Sequence, residues 1–337
     1  MLKPDKRKTT NGVSPVERLH ALVVDDMAAT DRMIHARMGS GVALIPDLAK
    51  HLIDSGGKRL RPMLTLAAAQ LGGYTGDKHI NLAAAVEFIH TATLLHDDVV
   101  DASTLRRGKV AANLVWGNKA TVLVGDFLFS RAFEMMVDTD SLRVLQILAG
   151  ASAVIAEGEV MQLKSESNLG TTEEHYLKVV GAKTAALFAA AAESGATLCD
   201  KGPAFIEAMR SYGESLGIAF QLVDDALDYS GRQALMGKAV GDDFREAKVT
   251  LPVILAYERA DKQAQQFWKR VIETGPQSEP DLERAISYVE STGAIQETMT
   301  RARHYADAAA AALAPLPQSE VRSALSDIAD FCVERAY

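Results

Sequence analysis

The distribution of proline constrains the fold of this 337-residue chain more than any other feature. No proline occurs between Pro62 and Pro203, although proline is the residue that most strongly breaks helix interiors. The intervening stretch is rich in Ala, Leu, Met and Glu, which favour helices, and it lacks alternating β-branched runs bounded by turn dipeptides. We therefore predict an all-α chain, and a single domain because no Gly/Ser/Pro linker divides it.

The predicted helices are joined by short connections that carry turn residues, such as GDKH, NKA and SNLGTT. Several of them, such as ALFAAAAESGATL, are apolar nearly all round, as expected for helices in the core of a bundle. The predicted bounds are Pro15–Met38, Ala43–Ser55, Pro62–Leu71, Asn81–Asp101, Lys119–Val137, Leu142–Leu163, Thr172–Leu198, Gly202–Asp228, Leu251–Glu258, Phe267–Thr274, Pro280–Thr292, Ile295–Ala314 and Ser319–Arg335.

Charge and composition exclude several classes of protein. The net charge of -8 argues against general nucleic-acid binding, which needs a positive surface. Cys199 and Cys332 are too few for a disulfide framework. No apolar run reaches the ~18 residues of a membrane-spanning helix, and the polar N-terminus is not a secretory signal. We expect a cytoplasmic protein without a transmembrane segment, whose residues 1–14 are disordered.

Two acidic motifs each close a long apolar helix: DDVVD spans Asp97–Asp101, and DDALD spans Asp224–Asp228. Helical residues four apart share a face, so the first and last aspartates of each motif point the same way. The helix dipole disfavours acidic side chains at a C-terminal end. Their repeated placement against this preference indicates a bound cation.

Two carboxylates one helical turn apart form a hard-oxygen site of the kind that Mg²⁺ takes, with other positions open to water and phosphate oxygens. An EF-hand is excluded because DDVVD lacks the central Gly and the later Glu of a calcium loop. The alternative for either motif alone is a solvated acidic helix end.

Basic motifs accompany the acidic ones and predict an anionic ligand. GGKRLRP carries Lys58, Arg59 and Arg61 just before a predicted helix start, which makes it a plausible diphosphate cradle. Further cations are Arg106, Arg107, Lys183, Lys238 and Lys248. Each alone would be an ordinary solvated side chain, but together they predict a metal-organised site for diphosphates.

The motifs resemble those of the trans-isoprenyl diphosphate synthases of the long-chain polyprenyl type. Those that carry the resemblance lie between Ala43 and Tyr257 and are GGKRLRP, LLHDDVVD with RRG, GEVMQL, KT, FQLVDDALD and GKAVGDDFREAKVTLP. The resemblance implies an isoprenoid synthase helical bundle with a central substrate cavity over residues 15–337. It also implies a homodimer that condenses isopentenyl diphosphate with an allylic diphosphate, using Mg²⁺.

The resemblance further implies a role for each matching residue. The expected metal ligands are Asp97 and Asp101 from one wall and Asp224 from the other, for about three Mg²⁺ ions with substrate bound. Carboxylates that assist through water or hydrogen bonds are Asp98, Asp225 and Asp228. Isopentenyl diphosphate would be held by Lys58, Arg61, His90 and Arg107. The allylic diphosphate would be held by Arg106, Lys183, Lys238 and Lys248. The reacting centre would be lined by Thr184, Phe220 and Gln221.

In this family the residues just before the first acidic motif set the depth of the product tunnel. Ala92 and Thr93 are small, which favours products beyond C20 and an octaprenyl or decaprenyl chain for a quinone. The predicted helix from Asn81 is about 30 Å long at ~1.5 Å per residue. The alternative is that Ala92 is small only because two helices pack closely there.

Two departures from the family pattern stand out. The chain ends CVERAY, with Arg335 as its single cation, so closure of the site by a basic tail is doubtful. Ala247 replaces a glycine that is frequent in the family, and we expect this change to be harmless.

Three other functions remain open. A shorter-chain synthase, making C15–C20 products, would keep the family but not the open tunnel. A class I terpene cyclase typically has an Asn/Ser/Glu-type second metal motif and no GGKRLRP. A non-catalytic subunit of a heteromeric synthase commonly loses acidic residues, whereas both motifs are complete here.

Overall fold

The computed structural model describes residues 13–54, 56–106, 108–230 and 240–334. Arg107 and Lys238, both predicted to bind diphosphate, lie outside the described residues, as do residues 1–12 of the expected N-terminal segment. Their roles, and the division of the chain into residues 1–14 and a domain 15–337, stay predictions.

The described residues are mostly α-helical with almost no sheet, which confirms the predicted fold class. The helices are α1 (Pro15–Leu22), α2 (Val24–Arg37), α3 (Leu44–Ile53), α4 (Leu60–Leu71), α5 (Lys78–Val100), α6 (Ala112–Trp116), α7 (Asn118–Val137), α8 (Leu142–Ser165), α9 (Glu173–Val180), α10 (Ala186–Thr197), α11 (Pro203–Asp228), α12 (Asp242–Arg245), α13 (Leu251–Glu258), α14 (Lys262–Trp268), α15 (Glu279–Ser291), α16 (Ala294–Ala312) and α17 (Glu320–Glu334).

Two π-helical segments, Gly181–Ala185 and Lys269–Thr274, continue α9 and α14. The predicted helix Thr172–Leu198 is therefore continuous but contains a π turn, a feature frequent at functional sites. The β-structure within the described ranges is a hairpin of β1 (Leu105–Arg106) and β2 (Lys109–Val110), which the sequence did not predict.

One predicted helix, Pro15–Met38, is interrupted. Val23 separates α1 from α2, with φ −123° and ψ 22°, and its side chain is buried. The N–H of Val23 donates to the carbonyl of His20, a short-range bond that tightens the last turn of α1. The apolar pattern alone did not indicate this break.

The helix that carries ALFAAAAESGATL occupies the centre of the bundle. Residues 187–196 of α10 are all buried, and this helix packs against α4, α5, α8 and α11. This confirms the prediction that a helix apolar on all sides lies in the core. Because the π turn directly precedes α10, the core also fixes the positions of Lys183 and Thr184.

Glycines bring α11 unusually close to α10. A Cβ atom at Gly213 would lie 2.4 Å from the Phe188 carbonyl oxygen, and one at Gly217 would lie 2.6 Å from the Ala185 Cα. Only glycine fits these two positions without moving the backbone of α10. The close approach places the C-terminal half of α11 beside the π turn.

Exposed apolar side chains concentrate on α6, α7 and α8. We call this set the apolar face: Leu114, Val115, Val122, Leu123, Phe133, Val137, Leu142, Val154, Val160 and Leu163. Among the described residues, α8 is the one helix whose length and composition would permit a membrane span, and little of it is buried. Singly exposed apolar residues are ordinary, whereas a concentration of them indicates a contact surface.

Candidate active site

The two acidic motifs lie at the C-terminal ends of α5 and α11 and meet at one cavity of about 500 Å³. Its walls come from the GGKRLRP loop, α4, α5, β1, α8, the π turn, α10 and α11. The predicted site residues that line it are Lys58, Arg61, His90, Thr93, Asp97, Arg106, Lys183, Thr184, Phe220, Gln221 and Asp224. The fold thus brings together residues that are more than 160 positions apart in the chain.

A smaller cavity of about 130 Å³ adjoins the first and shares three residues with it, Lys183, Thr184 and Gln221. Asp225 and Lys248 line this second cavity. The other predicted carboxylates, Asp98, Asp101 and Asp228, line neither cavity, and they act on the site through the contacts described below.

Asp97 is a partly buried carboxylate in the last turn of α5, with a side chain that is 15% exposed. Burial raises the pKa of Asp97 to about 6, with Lys183 opposing the shift and Glu159 and Asp101 adding to it. Lys183 Nζ lies 2.7 Å from Glu159 Oε2 and 4.0 Å from Asp97 Oδ2. The negative charge at this helix end is therefore only partly compensated by protein cations.

Asp98 holds the hairpin against the first acidic motif. Its carboxylate is completely buried, and Oδ1 accepts a hydrogen bond from Arg106 Nε at 2.7 Å. Oδ2 is also buried and has no hydrogen-bond partner among the described residues. Since β1 and β2 fold back on α5, Arg106 reaches both Asp98 and the wall of the larger cavity.

Lys248 links the first motif to the loop that follows the second. Its Nζ lies 3.0 Å from Asp101 Oδ2 and 2.5 Å from Glu246 Oε2. Burial alone would lower the pKa of Lys248, but Glu246 and Asp101 outweigh it and raise the pKa. Ala247, the departure noted in the sequence, has a left-handed φ of 51° in this loop.

The three aspartates of the second motif have different surroundings. Asp224 is exposed on the cavity, whereas Asp225 is buried. Asp228 accepts hydrogen bonds from the backbone N–H groups of Gly241, Asp242 and Asp243, at 3.0 to 3.2 Å. Asp228 therefore fixes the turn that begins α12.

Burial dominates the electrostatics of the second motif as well. It raises the pKa of Asp225 to about 7, against hydrogen bonds from Tyr176 and Gln221 that act in the opposite direction. It raises the pKa of Asp228 to about 6, against the backbone donors. Asp243 is a further carboxyl beside the second motif, whose pKa is raised well above its usual value by burial and by Asp225.

The GGKRLRP loop forms the opposite wall. Arg59 has a left-handed φ of 49°, and its Nη1 donates to Glu87 Oε1 at 2.6 Å. Arg61 Nη1 lies 3.2 Å from His90 Nε2, and the guanidinium lies 4.3 Å from the centre of the Phe188 ring. Lys58 Nζ lies 5.4 Å from the ring centre of Phe331 on α17.

The two predicted chain-length residues differ in position. Thr93 lines the larger cavity, and its hydroxyl donates to the His90 carbonyl at 2.8 Å. Ala92 is completely buried behind it and lines neither cavity. Close helix packing therefore accounts for part of the small size of Ala92, and its role in product length stays a prediction.

Sequence reasoning missed several residues of the site, among them Glu159, Tyr176, Phe188, Asp243 and Glu246. Glu159 and the two loop residues lie in motifs that the sequence singled out, GEVMQL and GKAVGDDFREAKVTLP, so their positions were available without their roles. The sequence around Tyr176 shows no motif that indicates its role, because its partner Asp225 is 49 residues away.

The residues present fit a divalent cation. Within the described part of the chain, no three His, Cys, Asp or Glu residues already converge on one point. Mg²⁺ needs no such cage, since it is often held by one or two carboxylates together with water and substrate phosphates. The donors at the cavity are carboxylate oxygens, and Asp98 Oδ2 beside them is buried without a hydrogen-bond partner among the described residues.

Comparisons with known proteins agree with this geometry. A family model described as polyprenyl synthetase matches residues 42–289. The octaprenyl diphosphate synthase of Escherichia coli is 44% identical over 320 residues, which cover 95% of this chain and 99% of that protein.

Two solved structures are similar over almost their whole length. A polyprenyl synthase from Caulobacter crescentus CB15, complexed with calcium and isoprenyl diphosphate, has a TM-score of 0.92 and 55% identity, covering 96% of this chain and 98% of that one. A decaprenyl diphosphate synthase from Rhodobacter capsulatus has a TM-score of 0.92 and 54% identity, covering 96% and 100%. This chain therefore belongs to the polyprenyl synthetase family.

Proposed function

We propose that this chain is a long-chain trans-prenyltransferase that condenses isopentenyl diphosphate with an allylic diphosphate, such as farnesyl or geranylgeranyl diphosphate. The observation that carries the proposal is one cavity in which acidic helix ends, cations and aromatic rings meet. Carboxylates suit a divalent cation, Lys and Arg suit diphosphate oxygens, and rings suit a prenyl chain. Family membership supports the same activity.

In this proposal Asp97, Asp101 and Asp224 hold Mg²⁺, as about three ions when substrate is bound. Mg²⁺ supplies Lewis-acid stabilisation of the charge on the departing diphosphate. The related Caulobacter crescentus protein, which was solved with calcium and isoprenyl diphosphate, supports a divalent cation at such a site. Asp98 and Asp225 assist through their hydrogen bonds to Arg106 and Gln221.

The allylic diphosphate is bound by the cations around the acidic helix ends. Lys183 and Lys248 now pair with Glu159 and Asp101, so a diphosphate binds by exchanging these partners for phosphate oxygens. Arg106 and Lys238 complete the set in the proposal. Concentrated positive charge stabilises the leaving group, which is the electrostatic effect that commonly contributes most to catalysis.

Isopentenyl diphosphate binds at the opposite wall. Arg61 and His90 are already in contact there, and Lys58 and Arg107 are the other proposed ligands. Stacking on Phe188 holds the Arg61 guanidinium in place, so that its orientation toward the cavity is set before substrate arrives.

Transfer then proceeds by ionisation, condensation and elimination. The allylic C–O bond breaks and its electron pair leaves with the diphosphate. The double bond of isopentenyl diphosphate attacks the allylic carbon, and loss of a proton from the product cation restores a double bond. Phe188 and Phe220, with ring centres 5.7 Å apart, offer π faces to the cation and exclude water.

The proposed product is a C40–C50 chain of the kind that forms a quinone side chain. Thr93, a small side chain, lies on the cavity wall beside the first acidic motif, where a bulky group would limit the length of the product. Two of the relatives, at 44% and 54% identity, are named as octaprenyl and decaprenyl diphosphate synthases, which supports products of this length.

We also propose a cytoplasmic homodimer. The apolar face on α6, α7 and α8 is a large surface for a soluble chain to leave in water, and a second copy would cover it. A stable interface buries about 800 Å² per partner, which two long helices readily provide.

Incorporation of labelled isopentenyl diphosphate tests the activity. The purified chain with farnesyl diphosphate and Mg²⁺ is expected to incorporate label into extractable prenyl diphosphates, and EDTA is expected to abolish incorporation. Release of a cyclic hydrocarbon without incorporation would instead assign a terpene cyclase. Activity that appears only after a second protein is added would assign a subunit of a heteromeric synthase.

A further inference from the structure

Tyr176 is a buried tyrosine on α9 that lies behind the reacting centre. Its side chain is 6% exposed and packs in the hydrophobic core. Its hydroxyl donates a hydrogen bond to Asp225 Oδ2 at 2.5 Å, across to α11. Tyr176 lines only the smaller cavity, so it does not face the larger one, where the substrates are proposed to meet.

Asp225 also contacts Gln221, which lies one helical turn earlier in α11. Asp225 Oδ1 accepts a hydrogen bond from Gln221 Nε2 at 2.7 Å, and Gln221 Oε1 accepts one from Thr184 Oγ1 at 2.9 Å. Three hydrogen bonds thus connect α9 to the π turn through α11. Both Gln221 and Thr184 line the larger cavity.

The direction of these bonds fixes the Gln221 amide. While it is ionised, the Asp225 carboxylate only accepts hydrogen bonds, so the NH₂ end of Gln221 faces Asp225 and its oxygen faces Thr184. The carboxylate can hold this role only while its own rotation is restricted. Because one oxygen takes the Tyr176 hydroxyl, the other stays directed at Gln221.

We propose that Tyr176 is a positioning residue: by anchoring Asp225 it orients the Gln221 amide oxygen toward Thr184 and the reacting centre. The inference rests on the proposed prenyl transfer for its kinetic consequence. Its structural consequence, the orientation of Gln221, is independent of the reaction that the site performs.

Tyr176→Phe removes the hydroxyl and keeps the ring. We expect kcat for prenyl transfer to fall at least about tenfold, because misplaced reacting groups are costly, while KM for both diphosphates changes less than about twofold. If Tyr176 only stabilised the fold, Tyr176→Phe would lower the melting temperature without a selective loss of kcat.

Tyr212→Phe is the matched control. Tyr212 is completely buried in α11, and its hydroxyl donates to the Leu325 carbonyl at 2.8 Å, away from both cavities. Both substitutions delete one buried hydroxyl, so their effects on stability should be similar. Only Tyr176→Phe should lower kcat, and an equal kcat loss in both variants would overturn the proposal.

A double-mutant cycle identifies the route of the effect. If Tyr176 acts through Gln221, then Tyr176→Phe should have little further effect on kcat in a Gln221→Ala background. Additive losses of kcat would overturn the proposal. Absence of prenyl transfer in the unmutated chain and in Tyr212→Phe would count against the proposed function instead.

A crystal structure of Tyr176→Phe tests the structural consequence without any assay. We expect the Gln221 oxygen to leave the Thr184 hydroxyl in this variant. Retention of the 2.9 Å contact would overturn the proposal.

Discussion

At the scale of single residues, the aspartates of the second motif divide between one that faces the cavity and one that holds a turn of the backbone. Asp224 faces the cavity, whereas Asp228, one helical turn later, accepts three backbone hydrogen bonds. Identical side chains in the same motif thus have different surroundings. Substituting each of them should therefore affect different properties, activity at Asp224 and stability at Asp228.

Asp224→Ala is expected to lower prenyl transfer by on the order of a hundredfold or more, because it removes a charge that a cation needs, with little effect on stability. Asp228→Ala is expected to lower the free energy of unfolding by about 1–3 kcal/mol, because it removes the acceptor of three backbone N–H groups, two of them partly buried. Kinetics and urea unfolding of both variants measure this. An equal loss of unfolding free energy in the two variants would contradict the different roles of Asp224 and Asp228.

The raised pKa of Glu193, a residue of α10 outside the two cavities, can be tested through the pH dependence of stability. Its carboxylate is almost buried, and burial raises its pKa, against a contact of 3.0 Å between Oε1 and Arg143 Nη2. Since the pKa is higher in the folded chain than in the unfolded one, the folded chain binds more protons between the two values. Stability therefore falls as pH rises through that window.

Glu193→Gln removes this titration. We expect the variant to gain stability relative to the unmutated chain as pH rises from about 4 to 7, because its amide does not ionise. Unfolding in urea at several pH values measures the difference. A difference that stays constant with pH, or that grows toward low pH, would show that the folded-state pKa is not raised.

At the scale of elements, the contact between α10 and α11 determines the geometry of the site. Thr184 and Gln221 touch at 2.9 Å because Gly213 and Gly217 let the two helices approach closely. Lys183 lies in the same π turn as Thr184, so the helix contact also sets its position.

Gly217→Ala is expected to destabilise the chain and to lower prenyl transfer, because the new Cβ would lie 2.6 Å from the Ala185 Cα. The control is Gly150→Ala in α8, where nothing lies within 4 Å of the new Cβ. Alanine has the higher helix propensity, so this control should be neutral or more stable by up to about 1 kcal/mol. Similar melting temperatures for both variants would contradict the close contact.

At the scale of the whole molecule, we expect the interface of the proposed homodimer to lie on the apolar face. Leu123, 66% exposed on α7, is a central test position. Leu123→Glu is expected to weaken the dimer, because it buries an unpaired charge. Val24→Glu on α2 is the control, since Val24 is 48% exposed but outside the apolar face.

Sedimentation equilibrium measures the outcome. The unmutated chain and Val24→Glu should have twice the 36.2 kDa mass of one chain, and Leu123→Glu should shift toward the single mass. A single-chain mass for all three, or an unchanged dimer in Leu123→Glu, would exclude this interface.

The sequence predicted much of the fold and the site because its strongest signals are local. Helix formers and absent prolines predicted the all-α fold, and motif spacing indicated most of the side chains that meet at the cavity. The break at Val23, the π turn and the hairpin were not predicted, since neither helix propensity nor the apolar pattern marks them. Tyr176 and Glu159 were missed because their partners, Asp225 and Lys183, adjoin them only in the folded chain.

Product length is the measurement that tests the central claim most directly. The purified chain is incubated with Mg²⁺, farnesyl diphosphate and labelled isopentenyl diphosphate, and the dephosphorylated products are separated by size. The proposed function predicts a ladder that ends at C40 to C50, because Thr93 leaves the cavity wall open beside Asp97. A ladder that stops at C15 or C20 would keep the family but contradict the long-chain function, and no incorporation at all would contradict prenyl transfer itself.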